Sequence, residues 1–212
     1  MKIGILTRKI ISNSNVDTNA VPFTYLNTFN KEFYPVLIDS TLSLSTHKED
    51  FLNQIKDIDG FILPGGSEIS EIDLFIIDYC YKKDLPLLGI CLGMQEIGYY
   101  FNKKKIKPIN NLSHFDIKKE YLHPITLNKK GYLYNLLKKE TLPVNSRHKY
   151  HLLENKHYNV EATCDDIIEA IKVKNKKYIL GVQFHPEIMY YYDNNARLIL
   201  NDFFNICKGV KK

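Results

Sequence analysis

The sequence predicts an α/β fold with a mostly parallel central sheet, because two kinds of segment alternate along the chain. Short apolar runs occur at Lys2 to Thr7, Phe33 to Asp39, Gly60 to Leu63 and Pro86 to Ile90. Longer amphipathic stretches separate them, with apolar residues at helical spacing. Strands that alternate with helices form parallel sheets, and the crossover helices cover both faces.

The amphipathic stretches predict the helices in order. A last helix is expected from Asp193 to Cys207, and no linker or internal repeat interrupts the chain, so residues 1–212 are expected to form a single domain. The apolar positions that keep helical spacing are Phe51, Leu52, Ile55 and Ile58 before the third strand, and Ile69, Ile72, Phe75, Ile76 and Tyr79 before the fourth.

After residue 100 the pattern changes. The segment from Asn102 to Leu122 is irregular and is expected to form a loop that borders the site. Its His114, and His123 just after it, are either acid–base groups or ordinary surface and strand-end histidines. The later short strands predict a small antiparallel ribbon: Ile125 to Leu127, Asn159 to Thr163, Ile167 to Val173 and Tyr178 to Phe184.

Composition limits the classes of function. The chain has 212 residues, 44% hydrophobic and 25% charged, which is typical of a globular domain. Its apolar runs are shorter than the roughly 20 residues of a membrane span, and its N-terminus lacks a signal-peptide core, so we expect a cytoplasmic protein. The net charge of +5 comes with no nucleic-acid motif. The four cysteines lack metal-type spacing, and Cys80, Cys164 and Cys207 are expected to be free packing residues.

The segment after the fourth strand predicts a cysteine nucleophile. Cys91 lies in a Gly-x-Cys-x-Gly pattern where the strand pattern changes to a helical one. This is the thiol version of the nucleophile elbow, in which glycines permit a strained turn and close approach of substrate. The helix N-terminus favours both a thiolate and an oxyanion. A lone cysteine at a strand end is more often a small buried hydrophobe, so the assignment needs a partner base.

The segment from Gly181 to Glu187 supplies that base. A thiol needs a neighbouring imidazole to become a thiolate, and the imidazole needs a third group to hold its tautomer. Only Pro186 separates His185 from Glu187, so in an extended segment their side chains would point to the same side. With Cys91, these residues predict a Cys-His-Glu triad.

These motifs resemble the class I glutamine amidotransferase superfamily, whose fingerprint is Gly-x-Cys-x-Gly-x-Gln followed much later by His-x-Glu. Within it, the chain is most similar to the free-standing γ-glutamyl hydrolase branch of peptidase C26 type, which includes γ-glutamyl-γ-aminobutyrate hydrolase. Three segments resemble that branch: Asp59 to Gly66, which ends in Pro-Gly-Gly, His123 to Leu127, and Val144 to His148.

The resemblance implies a flavodoxin-like fold and a hydrolase that forms a γ-glutamyl thioester on Cys91, with His185 as base and Glu187 orienting it. It implies that the backbone N–H groups of Gly66 and Leu92 form the oxyanion hole. Neither a metal nor another cofactor is expected, since this chemistry needs none and no phosphate-binding loop is present. The residues expected to hold the γ-glutamyl group are Gly65, Gln95, Asn145, Ser146 and His148.

Departures from the branch leave the leaving group open. The insert that usually follows Gly66 is missing, Lys149 and Tyr150 replace a usual His and Gln, and the segment from Asn102 to Lys107 replaces a Gly-Gly-Thr-Leu type. The substrate is therefore either γ-glutamyl-γ-aminobutyrate or an anionic, nucleotide-bearing γ-glutamyl compound (CDP-glutamine-like). The lysines at 103, 104, 105 and 107 form either a basic rim for such an anion or a solvated loop.

Three functional hypotheses follow. The first is an independent hydrolase that releases glutamate from a γ-glutamyl amide. The second is a glutaminase subunit that supplies ammonia to a partner synthetase. The third is an inactive binding module, which the presence of all three triad residues disfavours. The expected partner is a small-molecule γ-glutamyl substrate, with neither nucleic acid nor membrane, and a homodimer is compatible with the sequence.

Overall fold

A central sheet with helices around it makes up the computed structural model, which describes residues 1–11, 17–102, 105–109 and 113–209. In chain order the strands are β1 (Lys2–Leu6), β2 (Arg8–Ile11), β3 (Asp17–Ala20), β4 (Tyr34–Ile38), β5 (Gly60–Leu63), β6 (Leu87–Ile90), β7 (Lys107–Pro108), β8 (His123–Leu127), β9 (Thr141–Val144), β10 (Tyr150–His151), β11 (Tyr158–Cys164), β12 (Ile167–Val173) and β13 (Ile179–Val182). The helices are α1 (Phe23–Leu26), α2 (Leu44–Ile55), α3 (Glu71–Lys83), α4 (Leu92–Phe101), α5 (Tyr132–Leu137), α6 (Pro186–Met189) and α7 (Asn194–Lys208).

Nine strands form the main sheet in the order β4-β1-β5-β6-β13-β12-β11-β8-β9. The first five of these are parallel, and the last four continue the sheet in antiparallel pairs. The predicted α/β class is confirmed. The predicted antiparallel ribbon is continuous with the main sheet, because β13 pairs in parallel with β6 on one side and antiparallel with β12 on the other. Two small two-stranded sheets, β2–β3 and β7–β10, lie outside it.

Two apolar cores cover the two faces of the sheet. Successive side chains of a strand point to opposite faces, and in β5 the side chain of Ile62 joins one core while Phe61 and Leu63 join the other. Side chains of α1, α5 and α7 complete the first core, and those of α2, α3 and α4 complete the second. The predicted placement of helices on both faces is thereby confirmed.

The sequence analysis did not predict several short elements. The helices α1 and α5 span four and six residues, too few for helical periodicity to register. Pro143 argues against a central strand, yet β9 contains it. The strand tolerates this residue because it lies at the edge of the sheet. No helix in the described ranges is both long and apolar enough to span a membrane.

The sheet order places three chain segments side by side. Strands β5, β6 and β13 are neighbours and run in parallel, so their carboxyl ends meet at one edge of the sheet. The segments that leave this edge carry Gly65 after β5, Cys91 after β6 and His185 after β13. Open α/β sheets bind ligands outside the carboxyl ends of their strands. The topology therefore brings the three predicted groups to the place where such a site is expected.

Candidate active site

Cys91 occupies a strained turn between β6 and α4. Its φ of 54° and ψ of −103° lie where L-residues rarely occur, and its amide donates to the carbonyl of Val182 at 2.8 Å. No glycine among the described residues has a positive φ, so the strain predicted for the glycines falls on the cysteine itself. Gly93 instead permits close packing, because a Cβ there would lie 2.1 Å from the carbonyl oxygen of Leu63.

His185 and Glu187 are paired, although not in the extended segment predicted from the sequence. Nδ1 of His185 lies 2.7 Å from Oε1 of Glu187. His185 precedes the short helix α6, and Glu187 lies in its first turn. The prediction of an extended segment is wrong because the fixed φ of Pro186 suits the first position of a helix. The turn, rather than strand alternation, brings the two side chains together.

The charges around His185 favour its protonated form. Burial lowers the pKa of this histidine, but the Glu187 carboxylate and the neighbouring Cys91 raise it to about 10. An imidazolium next to a thiol favours the thiolate, which is the reactive form of cysteine. Two other cysteines are held as neutral thiols instead. Burial raises the pKa of the Cys80 thiol, and it raises the pKa of Cys164 to about 11. All four cysteines are free.

The loop after β5 lies against the cysteine and the histidine. A Cβ on Gly65 would approach Cε1 of His185 to 2.8 Å and the Cβ of Cys91 to 3.6 Å, so a larger residue would displace the histidine. The amide of Gly65 donates to the hydroxyl of Tyr25 at 2.9 Å. Burial and the nearby Glu187 raise the pKa of this tyrosine. The sequence did not single out Tyr25, which comes from the unpredicted helix α1.

The two predicted oxyanion donors both border the space in front of Cys91. Gly66 and Leu92 line the same cavity as the cysteine. Leu92 is the first residue of α4, and N–H groups in the first turn of a helix have no acceptor within it. The two residues are neighbours, because a Cβ on Gly66 would lie 3.0 Å from Cδ2 of Leu92.

A buried ion-pair network around Arg8 holds the loop that follows β5. Arg8 donates from Nε and Nη2 to the carbonyl of Pro64 at 3.3 and 2.8 Å. It also donates to Asp73 at 2.8 Å and to Glu96 at 3.0 Å, and both carboxylates are fully buried. The sequence analysis missed Arg8. Its position could have indicated a role at the site, because a charged residue directly after a predicted parallel strand lies at the sheet edge where ligands bind.

A cavity of about 500 Å³ opens in front of Cys91. Two cations line it, Arg147 and Lys149. Nη2 of Arg147 donates to the carbonyl of Ile117 at 2.9 Å, while its buried Nε has no hydrogen-bond partner among the described residues. The other lining residues are Gly66, Ser67, Ile69, Leu92, Gln95, Ile106, Phe115, His148 and Tyr150.

Two lysines of the predicted rim do not line this cavity. Lys105 and Lys107 are exposed and are not among the residues that line this cavity, and Lys105 borders a separate depression near Phe101. The lysines at 103 and 104 lie outside the described residues. Among the described residues, the positive charge at the cavity comes from Arg147 and Lys149, which follow the Val-Asn-Ser segment.

Of the five residues predicted to hold the γ-glutamyl group, Gly65 lies next to His185 and Cys91 but is not among the residues that line the cavity, and the other four form two sets. Gln95 and His148 line the cavity, and Gln95 donates to the Tyr150 carbonyl at 3.0 Å. Asn145 and Ser146 are fully buried and hydrogen-bond to the protein itself. Asn145 pairs with the backbone of His185, accepting at 2.8 Å and donating at 3.1 Å. Asn145 therefore positions His185, and it is not among the described residues that line the cavity.

Ser146 donates to the carbonyl of His114 at 2.7 Å and so fixes the loop before β8. His114 itself is buried, which rules out the prediction of a surface histidine. His123 lies at the start of β8, as the strand-end prediction has it. Both histidines face the carboxylate of Glu169, as does His148.

Known proteins share this fold and parts of this sequence. CTP synthase from Chlamydia muridarum is 26% identical over 179 residues, which cover 69% of this chain and 33% of that protein. The chain thus spans about a third of the length of this relative. The glutaminase domain of Trypanosoma brucei CTP synthase, solved with bound acivicin, superposes with a TM-score of 0.72 at 16% identity over 100% of this chain and 95% of that chain.

A glutamine amidotransferase from Thermotoga maritima also shares the fold, with a TM-score of 0.64 at 15% identity over 98% of this chain and 91% of that chain. The profile of the peptidase C26 family matches residues 70–187, which is more than half of the chain and includes the segments that carry Cys91, His185 and Glu187. The chain therefore belongs to the peptidase C26 family, a group of cysteine-type amide hydrolases within the class I glutamine amidotransferase superfamily.

Proposed function

We propose that this protein hydrolyses a γ-glutamyl amide through a thioester on Cys91, releasing glutamate and an amine. One observation carries the proposal: a strained cysteine at the end of β6 lies beside a histidine that is paired with a buried glutamate at 2.7 Å. A nucleophile, a base and a group that orients the base are the parts that covalent amide hydrolysis requires.

In the proposed reaction, Sγ of Cys91 attacks the γ-carbonyl carbon and its proton resides on His185. The imidazolium gives that proton to the departing amine when the C–N bond breaks, which leaves the γ-glutamyl thioester. A water molecule then attacks the thioester carbonyl while His185 takes its proton, and glutamate leaves as the thiol re-forms. Amides of Gly66 and Leu92 stabilise the two oxyanions, and loss of one such donor typically costs about 10²–10³ in rate.

The cavity supports an anionic leaving group. Arg147 and Lys149 line it, and the Nε of Arg147 has no hydrogen-bond partner within the described ranges. A buried donor without a partner costs free energy, and a bound carboxylate or phosphate would pair with it. This favours an amine that carries a carboxylate or phosphate, and it includes both substrates considered from the sequence.

Similarity to the CTP synthases favours a second candidate, a glutaminase that supplies ammonia to a partner synthetase. The two candidates differ in the activity of the isolated chain. An independent hydrolase turns over without a partner and prefers a γ-glutamyl amide with a large anionic amine. A synthetase-coupled glutaminase prefers glutamine and gains activity when its partner binds.

The test is glutamate release by the purified chain from glutamine and from γ-glutamyl amides with neutral or anionic amines. We expect the anionic amide to have the highest kcat/KM, and a glutamine-like electrophile to add to the protein once, at Cys91. Cys164→Ala is the matched control, because Cys164 is also a free cysteine but lies outside the site. Labelling that persists in Cys91→Ala and disappears in the control would refute the mechanism.

A further inference from the structure

Three histidines and a glutamate meet in a buried cluster next to the cavity. His114 lies in the loop before β8, His123 begins β8, His148 follows the Val-Asn-Ser segment, and Glu169 lies in the middle of β12. Each offers one ligand atom, and these atoms all lie within 4.8 Å of one another. His114, His148 and Glu169 are buried, and His123 is half-buried.

The atoms that face each other in this cluster lie close together, as near as 3.0 Å for Nδ1 of His114 and Oε1 of Glu169, but their geometry forms no hydrogen bonds. Within the described part of the chain, Nδ1 of His114, Nε2 of His123 and Nε2 of His148 have no hydrogen-bond partner, nor has either oxygen of Glu169. Leaving one buried polar atom unpartnered costs about 1–3 kcal/mol. Several such atoms converging on one point indicate a missing positive group at their centre.

The backbone fixes the tautomers of two of the histidines. Nδ1 of His148 lies 3.0 Å from the carbonyl oxygen of Tyr150, and Nδ1 of His123 lies 3.4 Å from that of Pro124. A carbonyl oxygen only accepts, so each Nδ1 carries the hydrogen, and in a neutral ring the Nε2 lone pair then points into the cluster. Metal-binding histidines are oriented by this kind of outer hydrogen bond.

The distances from the Glu169 carboxylate to the histidines are close to those around a tetrahedral ion. With donors about 2.0 Å from Zn²⁺, neighbouring donors are about 3.3 Å apart. Oε1 of Glu169 lies 3.0 Å from Nδ1 of His114, 3.4 Å from Nε2 of His148 and 3.9 Å from Nε2 of His123. Three imidazoles and one carboxylate suit zinc and related transition metals, whereas magnesium and calcium take oxygen ligands.

We propose that His114, His123, His148 and Glu169 bind a structural Zn²⁺ ion. Four protein ligands would close the coordination sphere, which is typical of structural rather than catalytic zinc. The ion would tie β8 and β12 to the segment that follows β9. That segment also carries Asn145, which holds the backbone of His185, and His148, which lines the cavity. The ion would thus fix the wall of the cavity without contacting the reacting atoms.

The experiment measures metal in the full chain, expressed with a tag that contains no histidine. Elemental analysis of the isolated protein is expected to give about one Zn²⁺ per chain. After removal of metal by a chelator, Co²⁺ is expected to bind with the strong visible absorption of a tetrahedral site, and Zn²⁺ is expected to displace it. Glu169→Gln and His123→Gln should weaken Zn²⁺ binding at least tenfold, and the exposed His47→Gln should leave it unchanged.

Folded protein that binds neither ion, or variants at Glu169 and His123 that bind as tightly as wild type, would overturn the proposal. If a variant fails to fold, stoichiometry and the Co²⁺ spectrum of the wild type decide the question. Because none of these readouts uses turnover, they do not depend on the proposed hydrolase activity.

Discussion

Removal of the Arg8 guanidinium should damage both the stability of the fold and the geometry of the loop after β5, which carries the proposed oxyanion donor Gly66. In Arg8→Met, the fully buried carboxylates of Asp73 and Glu96 lose their cation, and the Pro64 carbonyl loses two donors. Asp73 keeps a bond from the amide of Ser70 to its Oδ2. One oxygen of each carboxylate, Oδ1 of Asp73 and Oε1 of Glu96, already lacks a hydrogen-bond partner among the described residues.

The magnitude follows from this burial. Removing one partner of a buried ion pair typically costs about 3–5 kcal/mol. Burial raises the pKa of Glu96 well above its ordinary value, so this carboxyl group can take up a proton in the variant. Protonation removes the unpaired charge, and the expected loss of unfolding free energy is therefore at the low end of that range, about 3 kcal/mol. With a urea dependence of about 3 kcal/mol per molar, the midpoint of unfolding should fall by about 1 M.

Equilibrium unfolding in urea, followed by circular dichroism, measures this loss. Lys82→Met is the matched control, because Lys82 forms an exposed ion pair with Asp78 that is worth less than about 1 kcal/mol. The second measurement is kcat at a temperature where the variant is folded. The Arg8 side chain packs next to Gly66, because a Cβ there would lie 3.0 Å from Cδ of Arg8, so loss of this side chain should lower kcat more than it changes KM. An unchanged unfolding midpoint, or an unchanged kcat, would refute the reasoning.

Three further outcomes test the site itself. Cys91→Ala should abolish thioester formation and turnover while the circular dichroism spectrum stays the same; residual turnover above about 1% would exclude this cysteine as nucleophile. Glu187→Gln should lower the pKa of His185 from about 10 towards its ordinary value of 6.5 in an NMR titration. Because the raised pKa stabilises the fold fully below 6.5 and this stabilisation is lost as the pH rises through about 10, the variant should show a flatter decline of unfolding free energy across that window. Replacing Arg147 and Lys149 with glutamine should raise KM about tenfold for an anionic γ-glutamyl amide, an effect that added salt imitates, but much less for glutamine; equal changes would remove the argument for an anionic amine.

The fold class and the candidate reactive groups could be predicted from the amino-acid sequence alone. Apolar runs mark the parallel strands, and the bounds of β5 and β12 agree with the prediction to the residue. Cys91 could be identified because a strand-to-helix turn with flanking glycines is a local pattern. His185 and Glu187 could be paired because they are close in sequence, although the prediction of an extended segment is wrong.

Contacts between residues distant in sequence became visible only in the folded chain. Arg8, Asp73 and Glu96 lie on three different elements and form one network, and nothing in their local sequence indicates the pairing. The same holds for Glu169 and its three histidines, which stand alone in sequence and converge because β8 and β12 belong to one antiparallel layer. Periodicity and short motifs depend on residues that are neighbours in sequence, so they predict helices, strands and local turns. Long-range ion pairs and ligand clusters depend on the order of the strands in the sheet, which local sequence patterns do not indicate.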